Sequence, residues 1–138
     1  MSRIYFTDRD LGKRFPARLR LAGLEVEAHH ELFPPEGSDE QWLEHCGRRG
    51  RIAISHNRRI RHTPNELSAV VRNSVALIIV VGNAPYGDLA ENFVRTIARI
   101  ERFLDRQRAP FICKVYRPSP ADLKRDPEAA GSISLWYP

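Results

Sequence analysis

Three polar groups from distant parts of this chain have the types and positions to do phosphoryl chemistry. Arg3-Ile4-Tyr5-Phe6-Thr7 reads as a short buried strand, and Asp8 follows it directly. Asp39-Glu40 opens a helix, and Ser55-His56-Asn57 ends another strand. In an open α/β sheet, ligands bind in the crevice beyond the carboxyl ends of the strands. Carboxylates at that rim can hold a hard cation through oxygen alone, and magnesium suits such a site. Arg58, Arg59, Arg61 and His62 follow the third strand at the same edge. Their guanidinium groups suit phosphates. Acids that bind a metal, flanked by arginines that position a phosphate backbone, make a usable phosphodiesterase site.

The acids differ in how much ordinary helix chemistry explains them. Ser38 and Gln41 have the spacing of a capping box, which puts Asp39 and Glu40 in the first turn. Asp39 shares a stripe with Trp42, Leu43 and Cys46, so it belongs at the rim of the buried face. Glu40 pairs with Glu44 on a more polar face and is the second choice. Thr63-Pro64-Asn65-Glu66 is a capping box with Pro at the first helical position, which accounts for Glu66 without any chemistry. Asp10 reads as a helix-start residue. Asp88 or Glu91, after the fourth strand, could add a third acid.

The elements that must position these groups alternate as βαβαβαβαβ. Leu11, Phe15, Leu19 and Ala22 open the first helix, and Leu24 to Ala28 alternates like a strand near a sheet edge. A polar loop spans His29 to Gly37, and a helix runs from Asp39 to about His45. Ile52-Ala53-Ile54 is the third strand, residues 56 to 62 are a basic connection, and Pro64 to Arg72 is a helix. Val75 to Val81 is a continuous apolar run, the central buried strand. Leu89, Phe93, Ile97, Ile100 and Leu104 mark a long amphipathic helix, and Phe111 to Tyr116 a fifth strand. The alternation predicts an α/β fold with a mainly parallel sheet and helices on both faces. Residues 1–117 form the domain. Residues 118–138 form a Pro-punctuated extension whose Ile133-Ser134-Leu135-Trp136-Tyr137 packs on the domain or at an interface, with a second copy or another partner.

The 138 residues suit one domain. A net charge of +5 and a pI of about 9.7 favour an acidic partner such as nucleic acid. The two cysteines, Cys46 and Cys113, read as small buried hydrophobes and cannot make a structural zinc site alone. No apolar run approaches the roughly 20 residues of a membrane span. The N-terminus enters a strand at once, so no secretory leader is expected. A soluble, cytoplasmic protein is the expectation.

Four segments carry a resemblance: Ile4-Tyr5-Phe6-Thr7-Asp8, Leu21-Ala22-Gly23-Leu24-Glu25-Val26, Asp39-Glu40-Gln41-Trp42-Leu43, and Ile52-Ala53-Ile54-Ser55-His56-Asn57-Arg58-Arg59-Ile60-Arg61. In order and spacing they resemble the PIN-domain superfamily, more narrowly the PIN-like proteins related to VapC-type toxins. The resemblance implies a three-layer α/β/α sandwich and a magnesium- or manganese-dependent ribonuclease, often a toxin neutralised by a cognate antitoxin. It implies Asp8 as the first-strand acid and Asp39 or Glu40 as the helix acid. Asn57 falls where that family usually has an aspartate, so the third strand brings no charge and metal affinity is expected to fall. The alternative is a PIN-like module that binds RNA or protein and cleaves weakly or not at all. A receiver-type phosphoacceptor would use Asp8, Asp10 and Lys114, but the acceptor aspartate after the third strand is absent.

Overall fold

The computed structural model describes residues 3–138. Six strands form one sheet in the order β2-β1-β3-β4-β5-β6. They are β1 (Ile4–Thr7), β2 (Glu25–Ala28), β3 (Ile52–Ser55), β4 (Ala76–Val80), β5 (Phe111–Tyr116) and β6 (Ser132–Tyr137). The first five are parallel, and β6 runs antiparallel on β5. The helices are α1 (Arg14–Leu21), α2 (His29–Leu32), α3 (Asp39–Arg49), α4 (Pro64–Arg72), α5 (Tyr86–Arg106) and α6 (Pro120–Arg125).

Strand alternation sorts the core into two layers. Tyr5, Ile54, Ile78, Cys113 and Val115 point to one face, where Phe15 and Leu19 of α1 meet Phe93, Ile100 and Leu104 of α5. Phe6, Ala53, Leu77, Ile79 and Ile112 point to the other, under Trp42, Leu43 and Cys46 of α3 and Ala69 and Val70 of α4. Each layer removes several large side chains from water, at roughly 1.5–3 kcal/mol apiece. All of β4 is buried, as its apolar run requires. The connections β3–α4–β4 and β4–α5–β5 step the same way along the sheet but cross opposite faces. The last crossover therefore has the opposite hand from the others, against the usual rule. Its long apolar stripe covers the face that α1 alone would leave half bare.

Local structure departs from expectation in three places. Part of the expected loop from His29 to Gly37 coils into α2, and α6 forms in the Pro-punctuated segment with Ser119 and Asp122 as a reciprocal cap. Ser38 and Thr63 occupy the N-cap positions of α3 and α4, but neither side chain caps its helix. The Thr63 hydroxyl instead donates to the Arg59 carbonyl at 2.9 Å. The C-terminal segment joins the sheet as β6. It starts at buried Gly131, whose N–H donates to the Thr96 hydroxyl at 2.9 Å and whose carbonyl accepts from Arg99 at 2.7 Å.

α3 and α4 touch where Gly47 meets the end of α4. A Cβ on residue 47 would lie 2.1 Å from the Asn73 carbonyl oxygen, which is backbone and cannot swing aside. Gly47→Ala is expected to lower stability by about 2 kcal/mol in urea denaturation, the usual cost of overpacking a core. An unchanged midpoint would mean that the two helices are free to separate.

Candidate functional site

The strand order reverses between β1 and β3: the chain goes out from β1 to β2, then returns across β1 to β3. The crevice beyond their carboxyl ends is the topological switch point, where ligands bind in such sheets. Thr7 pairs with Ile54, so Asp8 and Ser55 leave their strands side by side. The Asp8 N–H donates to the Ile54 carbonyl at 2.9 Å, which extends the ladder by one bond.

Asp8 is only 3 % exposed. Its Oδ1 accepts the Arg9 N–H at 2.7 Å, capping a 3-10 turn at Arg9–Leu11, and its Oδ2 accepts the Ser55 hydroxyl at 2.9 Å. Asp10 comes round that turn to the same place. Its carboxylate lies 3.3 Å from the Ser55 hydroxyl and accepts the His56 N–H at 3.2 Å. The Ser55 hydroxyl also accepts the Asn57 N–H at 3.0 Å. Burial, then the charges of Asp10 and Asp39, push the Asp8 carboxyl up to about 8. Asp10 is also raised, by burial, while the His56 N–H and ring draw it back.

A second carboxylate pair stands at the N-termini of α3 and α4. Asp39 is half-buried and its Oδ1 accepts the Trp42 indole N–H at 3.0 Å. That bond ties the acid to a fully buried ring, as the shared stripe predicts. Glu66 faces it. Burial raises the Glu66 carboxyl, followed by the charge of Asp39, a hydrogen bond between the two carboxyls, and more weakly the charge of Glu40. Glu66 keeps a hydrogen bond to the Thr63 side chain, which draws its carboxyl back, and also meets Asp39. Asp10 and Glu66 are thus the acids that sequence reasoning set aside. The spacing of Asp10 two residues after a strand-end acid was the available signal.

The other expected residues lie as follows. Asn57 Oδ1 accepts the Arg59 N–H at 3.0 Å and caps the 3-10 turn Arg58–His62. Arg58 and Arg59 are exposed, whereas Arg61 is half-buried against β6. Its guanidinium lies 5.5 Å from the ring centroids of both Trp136 and Tyr137. Asp88 is exposed at the start of α5. Glu91 pairs with Arg18 at 2.7 Å and Arg95 at 3.6 Å, so it supplies no third acid. His56 Nδ1 lies 2.8 Å from the Val80 carbonyl. A carbonyl only accepts, so Nδ1 carries the hydrogen and Nε2 is the basic nitrogen of the neutral ring.

Two pairs of oxygen donors that repel one another suit a small hard cation and not a soft one. Among the described residues, no three acidic, histidine or cysteine side chains close tightly enough to cage an ion by themselves.

A family model described as a PIN-like domain matches residues 4–82, more than half of the 138 residues. The chain belongs to the PIN-like domain family. No curated protein and no solved structure matches it. The PIN-like match runs from β1 to just past β4 and contains Asp8, Asp10, Asp39, Glu40, Ser55, Asn57 and Glu66. Among the described residues, no helix of this PIN-like protein is long and apolar enough to cross a membrane.

Asp8 gives the fold a defined pH dependence. Its folded pKa of about 8 lies above the ordinary 3.8, so between those values the folded state holds a proton that the unfolded chain releases. The stabilisation is complete below the unfolded value and is lost as pH rises through about 8. In chelator, the urea midpoint is expected to fall from pH 5 to pH 8.5, and Asp8→Asn to flatten and raise that profile. A wild-type profile as flat as the variant's would show that the acids do not crowd one another. Asn57→Ala is expected to cost about 1 kcal/mol in the same assay through loss of a cap, and Asn57→Asp almost nothing.

Proposed function

We propose that this PIN-like protein is a metal-dependent endoribonuclease and the toxin component of a toxin–antitoxin pair. The observation that carries the nuclease reading is the pair Asp8 and Asp10 sharing the Ser55 hydroxyl at the topological switch point, with the charge of Asp39 acting on Asp8. The toxin reading rests on the resemblance of the four segments to VapC-related proteins. It brings with it RNA as substrate and a cognate antitoxin as partner, and the C-terminal apolar segment offers a surface for a second copy.

Asp8 and Asp39 would hold magnesium or manganese, with water completing the shell; when bound, the ion would polarise a phosphoryl oxygen and make water more acidic. The chain's own residues then divide the remaining work. Ser55 keeps the Asp8 carboxylate turned to the crevice. His56 fastens Asp10 through its backbone N–H, while its ring is held by the Val80 carbonyl. Arg58 and Arg59 stand exposed on the connection that follows, where they neutralise backbone phosphates without reading sequence.

One observation favours a second reading, a PIN-like binding module with weak or lost cleavage. The Asn57 oxygen is committed to the Arg59 N–H, so β3 brings no free acid to the crevice.

Cleavage of single-stranded RNA by the purified protein separates the two readings. Magnesium-dependent scission is expected, falling by roughly two orders of magnitude or more in Asp8→Asn and in Asp39→Asn. Scission that persists in chelator, or that Asp8→Asn retains in full, would contradict the nuclease reading. Tight RNA binding with no scission would favour the binding module.

A further inference from the structure

α4 divides its face of the sheet in two. Glu66 looks towards Asp39 on one flank. On the other, Pro64, Leu67 and Val71 border a groove with Tyr137 of β6. Beside that groove, Trp136 collects basic side chains. Lys114 Nζ lies 3.8 Å from its ring centroid, the Arg61 guanidinium 5.5 Å, and the His62 ring 5.6 Å at 83°. Arg61 Nε also donates to the Trp136 carbonyl at 3.3 Å.

Arg18, Arg20 and Arg51, by contrast, pair with Glu91, Glu31 and Glu27. Among the described residues, no carboxylate pairs with Arg61, His62 or Lys114. The electron-rich ring face lets them sit together instead. Cations gathered without an acid keep their N–H donors for an outside anion.

We propose that Arg61, His62 and Lys114, assembled on Trp136, form a phosphate subsite for single-stranded RNA that crosses the first turn of α4 to reach the carboxylates. The proposal rests on the ribonuclease reading. Position supports it. Ser55 pairs with Ile79 and Ile79 with Lys114, so Lys114 stands in the same row of the sheet as the Asp8 neighbour, two strands away. That separation is roughly 10 Å, about the width of the helix between them. Exposed Arg58 and Arg59 share the 3-10 turn with Arg61 and His62. Trp136 adds an aromatic surface beside the phosphates, a pairing that single-stranded nucleic acid favours.

The test uses the full chain carrying Asp8→Asn, in chelator, with a labelled ten-nucleotide oligouridylate titrated across a range of salt. Adding Lys114→Gln is expected to weaken binding about tenfold at low salt, the loss of a charge-assisted contact. It should also reduce the log–log salt slope by roughly 0.7. Arg106→Gln, at the far end of α5, should change neither. Oligouridylate should also alter Trp136 fluorescence, and Trp136→Phe should abolish that signal. Unchanged affinity and slope in Lys114→Gln, or an equal loss in Arg106→Gln, would overturn the proposal. Stronger binding of polyglutamate than of oligouridylate would also overturn it and make the cluster a seat for an acidic protein. If the wild type cleaves RNA with magnesium but Lys114→Gln binds normally, the subsite alone fails. If Lys114→Gln binds weakly and the wild type never cleaves, the ribonuclease reading alone fails.

Discussion

Carboxylates repel one another and resist burial, and this fold gathers four of them at one edge. Asp8 pays most heavily: with Asp10 and Asp39 nearby and little water around it, its carboxyl is driven up to about 8. An acid kept in so unfavourable a place needs a scaffold that does not yield. The scaffold here is a sheet with close-packed helices on both faces, whose stability offsets the local repulsion. Acids strained in this way are common at functional sites, where the environment is arranged to perturb them.

Three separate devices hold the acids in place. Sheet register sets Asp8 beside Ser55, so one hydroxyl serves the acids of β1. The 3-10 turn after β1 brings Asp10 back to the strand end, where the His56 N–H fastens it. Buried Trp42 holds Asp39 through its indole N–H, and the contact of α3 with α4 sets Glu66 against it. The two pairs thus come from strand ends on one side and helix starts on the other. The crevice between them exists because the chain reverses its direction of travel at β1.

Much of this was legible in the sequence because it depends on period and position. The apolar run after Val75 became the buried β4, and the stripe from Leu89 to Leu104 became the buried face of α5. Asp39 lies on the stripe of Trp42, and its bond to that ring follows from helical spacing. What escaped depends on partners distant in sequence. Thr63 and Glu66 have the spacing of a capping box, but spacing does not reveal that Arg59 claims the Thr63 hydroxyl or that Asp39 stands opposite Glu66. Arg61 reads like its neighbours Arg58 and Arg59. Only the antiparallel return of β6 shows that it lies against Trp136 and Tyr137. The Asn57 side chain faces a turn for a local reason too, since its oxygen reaches the N–H two residues on.

Under the proposed function, these carboxylates receive a divalent cation in place of a proton. Calorimetric titration of manganese at pH 7, repeated in two buffers of different ionisation enthalpy, measures the protons released on binding. About one proton per ion is expected from the wild type, because the Asp8 carboxyl is largely protonated below its pKa of about 8. Release should vanish in Asp8→Asn along with most of the affinity. Binding without proton release, or binding that Asp8→Asn leaves intact, would contradict the account.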